Sequence, residues 1–166
     1  MTTFNYFKIF ALILAAALGS CQKSTDLEIV KSFDGVEADL WEHFDNFEKE
    51  AAKRGMHIDL AAAGITASIE KIHTHGLVGT CNHKVDTPNH VTIDIDFWRS
   101  ASESAREMII FHELGHCYLH RGHNDTAHAD GTCSSIMRSG LGGCVDFYTN
   151  SNRKGYLTEL FVGAQN

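Results

Sequence analysis

The sequence has little of several features that would place it in large classes of protein. Its 166 residues include one proline, Pro88, which lies in the polar stretch DTPNH and predicts a turn. Acidic residues outnumber basic residues by 21 to 14, and no basic patch or nucleic-acid-binding motif is present. We therefore expect no nucleic-acid partner. Because the sequence also lacks internal repeats and low-complexity tracts, we predict a single domain and a monomer.

The N-terminus lacks an apolar run of the length that a membrane-spanning helix needs, which is about 20 residues. The apolar run from Ile9 to Leu18 is shorter, follows the cation Lys8, and ends in small residues. This order is typical of a secretory signal peptide. We therefore predict that residues 1–20 form a signal segment.

The four residues Leu18 to Cys21, LGSC, resemble the lipobox of bacterial lipoproteins. The resemblance implies cleavage before Cys21, a lipid on that cysteine, a tether over residues 21–27, and a domain over residues 28–166. It also implies an exported protein that is anchored by lipid to the bacterial envelope. Gln22 favours the outer membrane, on its periplasmic or surface face. A soluble secreted protein that is cut nearby is the alternative.

Cysteine spacing excludes a cysteine zinc site or a thioredoxin-like motif, because no C-x-x-C pair is present. Four cysteines follow Cys21, and an even number in an exported chain favours two disulfides. Three pairings of these four residues are possible. Of these we favour Cys133–Cys144 together with Cys81–Cys117.

Apolar periodicity predicts three helices. The first covers residues 35–55 and closes at Gly55, the second is capped by Ser102 or Ser104 and runs to residue 119, and the third covers residues 152–163. Short β-branched or aromatic segments at 27–33, 57–61, 66–73, 77–83 and 90–98 predict strands. The order predicts an α+β domain, with a mixed sheet of about four or five strands backed by the first two helices and followed by a short C-terminal helix.

Apolar and polar residues alternate in VTIDIDF, residues 91–97. This alternation predicts a half-buried strand with one polar face. Asp94 and Asp96 are then expected on the solvated face of the strand, and a calcium site is the alternative.

The second helix carries the pattern H-E-x-x-H. Because residues four apart share one face of an α-helix, His112 and His116 can offer two imidazoles to one Zn²⁺ ion. Glu113 is then the predicted general base. Two surface histidines on a structural helix are the alternative.

A third ligand requires the chain to turn back after His116. An α-helix rises about 1.5 Å per residue, so a straight helix would leave His120 roughly 6 Å and His123 about 10 Å beyond His116. We predict a turn over residues 119–122, made at Gly122, that brings His123 to the metal. His120 is expected in or beside this turn. Competing candidates for the third ligand are His120 itself and three carboxylates, Asp125, Asp130 and Glu159.

The histidine pattern, followed by SIM at residues 135–137, resembles the metzincin zinc endopeptidases. The spacing departs from the family pattern, because His123 lies one residue past the usual third histidine. The stretch is closer to exported bacterial metallopeptidases that read HELGHC…RxHxD…SIMRSG. By that resemblance His123 is the third ligand and Met137 forms the Met-turn below the histidines.

The resemblance implies a peptidase with one catalytic Zn²⁺ ion that hydrolyses peptide bonds in protein or peptide substrates. A zinc-activated water would attack, with Glu113 as general base. The substrate is expected to pair with an exposed strand at residues 76–83. A zinc-containing surface module that binds without cleaving and a cell-wall amide hydrolase are the alternatives.

Two supporting roles stay open at the level of sequence. Asp125 can orient a ligand imidazole or cap a loop. Some metzincins have a tyrosine where this chain has Ser139, so another group must stabilise the oxyanion. Arg138, Tyr148 and Tyr118 are the candidates.

Overall fold

A computed structural model of the chain describes residues 31–84, 87–140 and 148–162. These residues form an α+β fold with a three-stranded mixed sheet and four α-helices, so the predicted fold class is confirmed. A short 3-10 helix, Ala38–Leu40, precedes the first α-helix. The elements in chain order are α1 (Trp41–Ala52), β1 (Thr66–Glu70), β2 (Gly79–Lys84), β3 (Thr87–Asp94), α2 (Ile95–Ser100), α3 (Glu103–Cys117) and α4 (Arg153–Val162).

The sheet leaves β2 at an edge. The strand order is β1-β3-β2, with β1 parallel and β2 antiparallel to β3. Beside β1, Val36 forms a parallel bridge with Ala67, so the chain before α1 covers part of that edge. In the described part of the chain no strand pairs with the outer edge of β2. That edge is therefore open to an extended partner except at the Cys81 amide, which donates to Glu113.

The predicted count of four or five strands is wrong for the described residues, which form three. Residues 57–61 form a loop, in which side chains bind the amide of Leu60 and, just after it, that of Ala62. The Leu60 amide donates to Glu48 (2.8 Å) and the Ala62 amide donates to Asp59 (3.0 Å). Of the predicted strand at 27–33, residues 31–33 have no regular structure and the others lie outside the described residues.

The strand predicted over 90–98 ends at Asp94, because the Asp94 carboxylate caps the helix that follows. It accepts hydrogen bonds from the amides of Asp96 (3.0 Å) and Phe97 (3.1 Å), which is the standard N-cap interaction. The solvated-face prediction is therefore wrong for Asp94, which is buried. Asp96 is exposed, as expected, and pairs with Lys71 (2.6 Å), but it lies in α2 and not on a strand.

The helices pack around one aromatic centre. The Phe47 ring of α1 lies 5.1 Å from Phe111 of α3 and 4.9 Å from Phe161 of α4, between ring centroids. Of the two proposed caps of α3, Ser102 is confirmed, because its hydroxyl accepts from the Ala105 amide (3.3 Å). The residues predicted to face inward on α4 are all buried, namely Tyr156, Leu157, Leu160 and Phe161.

Glu50 on α1 makes the stability of this packing depend on acid pH. Burial raises the pKa of its carboxyl group, but hydrogen bonds from Lys53, Arg54 and Arg153 outweigh it and lower the pKa to about 2. A group with a lowered folded-state pKa stabilises the fold above its unfolded pKa and loses that effect as pH falls. We expect the free energy of unfolding to fall as pH drops from about 4.5 towards 2.

Urea unfolding at a series of pH values measures this dependence. Glu50→Gln should be less stable than the parent at pH 7, and its stability should vary less across that acid range. An identical acid slope in the parent and in Glu50→Gln would show that another group controls it.

Candidate metal centre

Helix α3 places two imidazoles side by side. His112 and His116 are one turn apart, and their Nε2 atoms are separated by 3.1 Å. Two nitrogens that are each 2.0–2.1 Å from a tetrahedral Zn²⁺ ion would be about 3.3 Å apart. The observed spacing therefore suits two ligands of one ion.

The chain reverses directly after α3, as predicted, but at a different residue. His120 has the left-handed backbone conformation, with φ 53°, whereas Gly122 is not among the glycines with positive φ. The predicted use of Gly122 is therefore wrong. After the bend, the Arg121 amide donates to the Gly115 carbonyl (2.9 Å), so the chain returns along its own helix. This return brings His123 back to the two helix histidines.

Three histidines meet at this point. The nitrogen atoms that His112, His116 and His123 offer all lie within 4.8 Å of one another, so the three residues could hold a metal ion. His120 is not part of the group. It is exposed, and its ring centroid lies 6.2 Å from that of His83. Donor chemistry of three imidazoles fits Zn²⁺.

Backbone carbonyl groups orient the two helix histidines. Nδ1–H of His112 donates to the Ile136 carbonyl (2.5 Å), and Nδ1–H of His116 donates to the Arg121 carbonyl (2.6 Å). These bonds fix the tautomer and direct both Nε2 atoms to the shared position. Burial, together with the neighbouring histidines, lowers the pKa of His112 to about 4 and lowers that of His116. Both shifts favour the neutral imidazole that a metal ligand requires.

Glu113 shares a cavity of about 360 Å³ with the three histidines. Its carboxylate lies against β2, where it accepts a hydrogen bond from the Cys81 amide. Burial raises the pKa of Glu113 to about 8, although the Cys81 amide opposes this rise. A cation held by the histidines would favour the charged form. The buried carboxylate is therefore placed to exchange a proton inside the cavity.

Glycine at position 79 makes room for this carboxylate. A Cβ atom at Gly79 would lie 2.7 Å from Oε1 of Glu113 and 3.0 Å from the Ile109 side chain. This role of Gly79 was not predicted from the sequence. A glycine inside a strand pattern signals the close approach of another group, and this signal could have identified the role of Gly79.

A disulfide holds the two walls of the cavity together. Cys81 of β2 is bonded to Cys117, the last residue of α3, with Cα atoms 5.6 Å apart, so this predicted pairing is confirmed. Cys117 directly follows His116, and the bond therefore ties the edge strand to the histidine helix. For the other predicted pairing, Cys144 lies outside the described residues.

Met137 is fully buried against α3. A Cβ atom at Gly115 would lie 2.5 Å from the Met137 sulfur and 3.2 Å from Leu160, so the glycine is needed for this close packing. Met137 therefore lies beside the helix turn that carries His116. The predicted place of Met137 below the histidines rested only on the family resemblance.

Gly115→Ala tests this packing. We expect a net loss of about 1 kcal/mol in the free energy of unfolding, because overpacking costs about 1–3 kcal/mol and alanine returns only about 1 kcal/mol of helix propensity. Gly155→Ala on α4 is the matched control, since a Cβ there meets nothing within 4 Å. The control should be slightly stabilised. Thermal or urea unfolding measures both, and a stabilised Gly115→Ala would contradict the contact.

The competing carboxylates are engaged in other contacts. Asp125 accepts from the amide (2.8 Å) and hydroxyl (2.7 Å) of Ser139, which is the loop-capping interaction. Asp130 accepts from the amide (2.9 Å) and hydroxyl (2.7 Å) of Thr132. Glu159 pairs with Arg121 (2.6 Å). None of the three belongs to the group that could hold a metal.

The proposed oxyanion stabilisers do not line the cavity. The Tyr148 hydroxyl donates to Glu107 (2.6 Å) inside the protein, and Arg138 and Tyr118 are absent from the cavity wall. His83 of β2 does line it. His83 was not predicted as a site residue, although its position two residues after Cys81 puts it on the same face of the strand.

Comparisons with protein-family models, with curated proteins and with solved structures find no match to this chain. The chemistry of the centre therefore rests on its own residues.

Proposed function

We propose that this chain is a zinc-dependent peptidase, with an endopeptidase activity on unfolded protein or peptide. One observation carries the proposal. The Glu113 carboxylate and the three-histidine group share one cavity, and that cavity is bounded by the open edge strand β2. A metal site, a buried carboxylate and a backbone edge together supply the parts that amide hydrolysis requires.

Each residue has a defined task in this proposal. His112, His116 and His123 would hold the ion. Zinc, when bound, supplies a Lewis acid that polarises a carbonyl and lowers the pKa of a water molecule. Glu113 takes a proton from water onto its carboxylate and passes it to the leaving amine nitrogen.

The edge strand suits an extended substrate. Apart from the Cys81 amide, which donates to Glu113, the outer edge of β2 offers its backbone groups, and an added strand would recognise the main chain of a peptide. Gly79 lies on β2 with the Glu113 carboxylate behind it, so a paired peptide bond would pass near the carboxylate. Main-chain recognition predicts activity on extended segments more than on folded proteins.

Several features support a zincin-like architecture of the metzincin kind. The histidine helix packs on a mixed sheet, the chain bends after the second histidine, and Met137 is buried against the helix. The family assignment is part of the proposal, and the departure in spacing at His123 is accommodated by the bend at His120.

Export and lipid anchoring are also proposals, which rest on the LGSC motif. The signal segment 1–20, Cys21 and the tether 21–27 lie outside the described residues. None of the helices in the described part of the chain has the length and apolar character needed to cross a bilayer. Mass spectrometry of the N-terminal peptide from a bacterial membrane fraction would detect lipid on Cys21.

Hydrolysis of an unfolded protein tests the proposed function. We expect cleavage that a chelator abolishes and that Zn²⁺ restores, with new N-termini at peptide bonds identified by mass spectrometry. Cell-wall fragments serve as the second substrate. Zinc-dependent release from these fragments without cleavage of unfolded protein would replace the peptidase by an amide hydrolase, and zinc binding without either reaction would indicate a binding module.

A further inference from the structure

Glu159 of α4 joins the two chain segments that orient the helix histidines. Its Oε1 atom accepts from Nη2 of Arg121 (2.6 Å) and its Oε2 atom accepts from the hydroxyl of Ser135 (2.5 Å). The Asn124 amide group makes a longer contact with Oε1 (3.4 Å). A single carboxylate thus contacts both segments, which are also joined directly by the hydrogen bond from the Asn124 backbone amide to the Met137 carbonyl (2.8 Å).

The first segment holds His116. The Arg121 carbonyl accepts from Nδ1–H of His116, while the Arg121 guanidinium is held by Glu159. The Nη1 atom of Arg121 also donates to the carbonyl groups of Glu159 (2.9 Å) and Leu160 (3.0 Å) near the end of α4. Carbonyl groups in the last turn of a helix commonly accept from such side chains. The position of the chain after the bend therefore depends on α4.

The second segment holds His112. The Ser135 hydroxyl is fully buried, donates to Glu159, and accepts from the Met137 amide (3.0 Å). Between these two residues lies Ile136, whose carbonyl accepts from Nδ1–H of His112. The hydroxyl therefore fixes the turn that presents this carbonyl to the histidine.

We propose that Glu159 is a positioning residue of the metal centre, which binds no ion itself but sets the orientation of His112 and His116 through Ser135 and Arg121. This role rests on the proposed zinc site. Groups that orient a metal-binding imidazole typically change metal affinity by about 10–100-fold when they are removed. The same carboxylate was a candidate ligand on sequence grounds, and its contacts with Arg121 and Ser135 assign it the indirect role instead.

Metal binding to the purified full chain, without any peptide, tests the role. We would measure the dissociation constant for Zn²⁺ by competition with a chromophoric chelator, and the visible absorption spectrum of the Co²⁺-loaded protein. Glu159→Ala should weaken Zn²⁺ binding by about 10–100-fold and change the Co²⁺ spectrum. Glu159→Gln, which keeps an acceptor oxygen for one segment, should fall between the parent and Glu159→Ala.

Glu107→Ala is the matched control. Glu107 also anchors α4, through Arg153 (2.7 and 2.8 Å) and the Tyr148 hydroxyl (2.6 Å), but it contacts neither Arg121 nor Ser135. The control should lower thermal stability while leaving the Zn²⁺ dissociation constant and the Co²⁺ spectrum unchanged. Equal loss of affinity in Glu107→Ala and Glu159→Ala would show a structural role and overturn the proposal.

Ser135→Ala keeps the test decisive if Glu159→Ala does not fold. This variant removes the hydroxyl that donates to Glu159, so it should weaken Zn²⁺ binding. In the double variant with Glu159→Gln, the two losses of affinity should not be additive. Parent-like affinity in Ser135→Ala and Glu159→Gln overturns the positioning role alone. A parent chain that binds neither Zn²⁺ nor Co²⁺ overturns the zinc site and this role together.

Discussion

Replacement of Glu113 by glutamine is expected to reduce peptide hydrolysis by about 10²–10⁴-fold, the usual contribution of a positioned general base. Glutamine has nearly the same shape, so it should still fill the space between Ile109 and Gly79. It cannot take a proton from water at neutral pH. The measurement is the rate of cleavage of an unfolded protein at saturating Zn²⁺.

The dissociation constant for Zn²⁺ separates this effect from loss of the metal. The two helix histidines do not depend on the charge of Glu113 for their orientation, because the Ile136 and Arg121 carbonyls hold His112 and His116. Glu113→Gln should therefore bind Zn²⁺ with an affinity close to that of the parent. Parent-like cleavage by Glu113→Gln would eliminate Glu113 as the base and with it the proposed mechanism.

Replacement of His123 by alanine is expected to weaken Zn²⁺ binding by more than about 100-fold, since even the removal of a group that merely orients a ligand costs 10–100-fold. His120→Ala should keep most of the affinity. The difference follows from the bend, which brings His123 to the helix histidines and leaves His120 exposed and outside the group. Equilibrium competition with a chelator measures both variants.

The backbone at His120 requires one more variant. With φ 53° this residue has a left-handed conformation that alanine tolerates poorly and asparagine tolerates better. His120→Asn should therefore match the parent in Zn²⁺ affinity more closely than His120→Ala. If His120→Asn loses Zn²⁺ as fully as His123→Ala does, the assignment of the third histidine is wrong.

Local patterns in the sequence were sufficient for three of the four described α-helices and for part of the centre. The four-residue spacing of His112 and His116 requires only helical geometry, and the inward residues of α4 follow from apolar periodicity. The need for a bend also followed from helical rise, but its exact residue did not. A glycine is the usual choice for a left-handed position, whereas this chain has His120 there.

The rest could not be predicted because it depends on contacts between distant parts of the chain. Alternation through residue 97 indicated a strand, but the Asp94 side chain ends it by capping α2. Arg121 and Glu159 are separated by 38 positions, and no local pattern pairs them. The Arg121 and Ile136 carbonyl groups, which orient the helix histidines, likewise lie in two loop segments whose paths depend on contacts with α4.

The most direct test is a titration of the metal-free parent chain with Zn²⁺ while the cleavage of an unfolded protein is followed. The proposed mechanism predicts that the rate rises in proportion to added Zn²⁺ and reaches its plateau at one ion per chain. It also predicts that Glu113→Gln, carrying the same amount of Zn²⁺, stays near the uncatalysed rate. A parent chain that binds one Zn²⁺ ion and cleaves no substrate, or one that cleaves equally well without the ion, would contradict the assignment as a zinc peptidase.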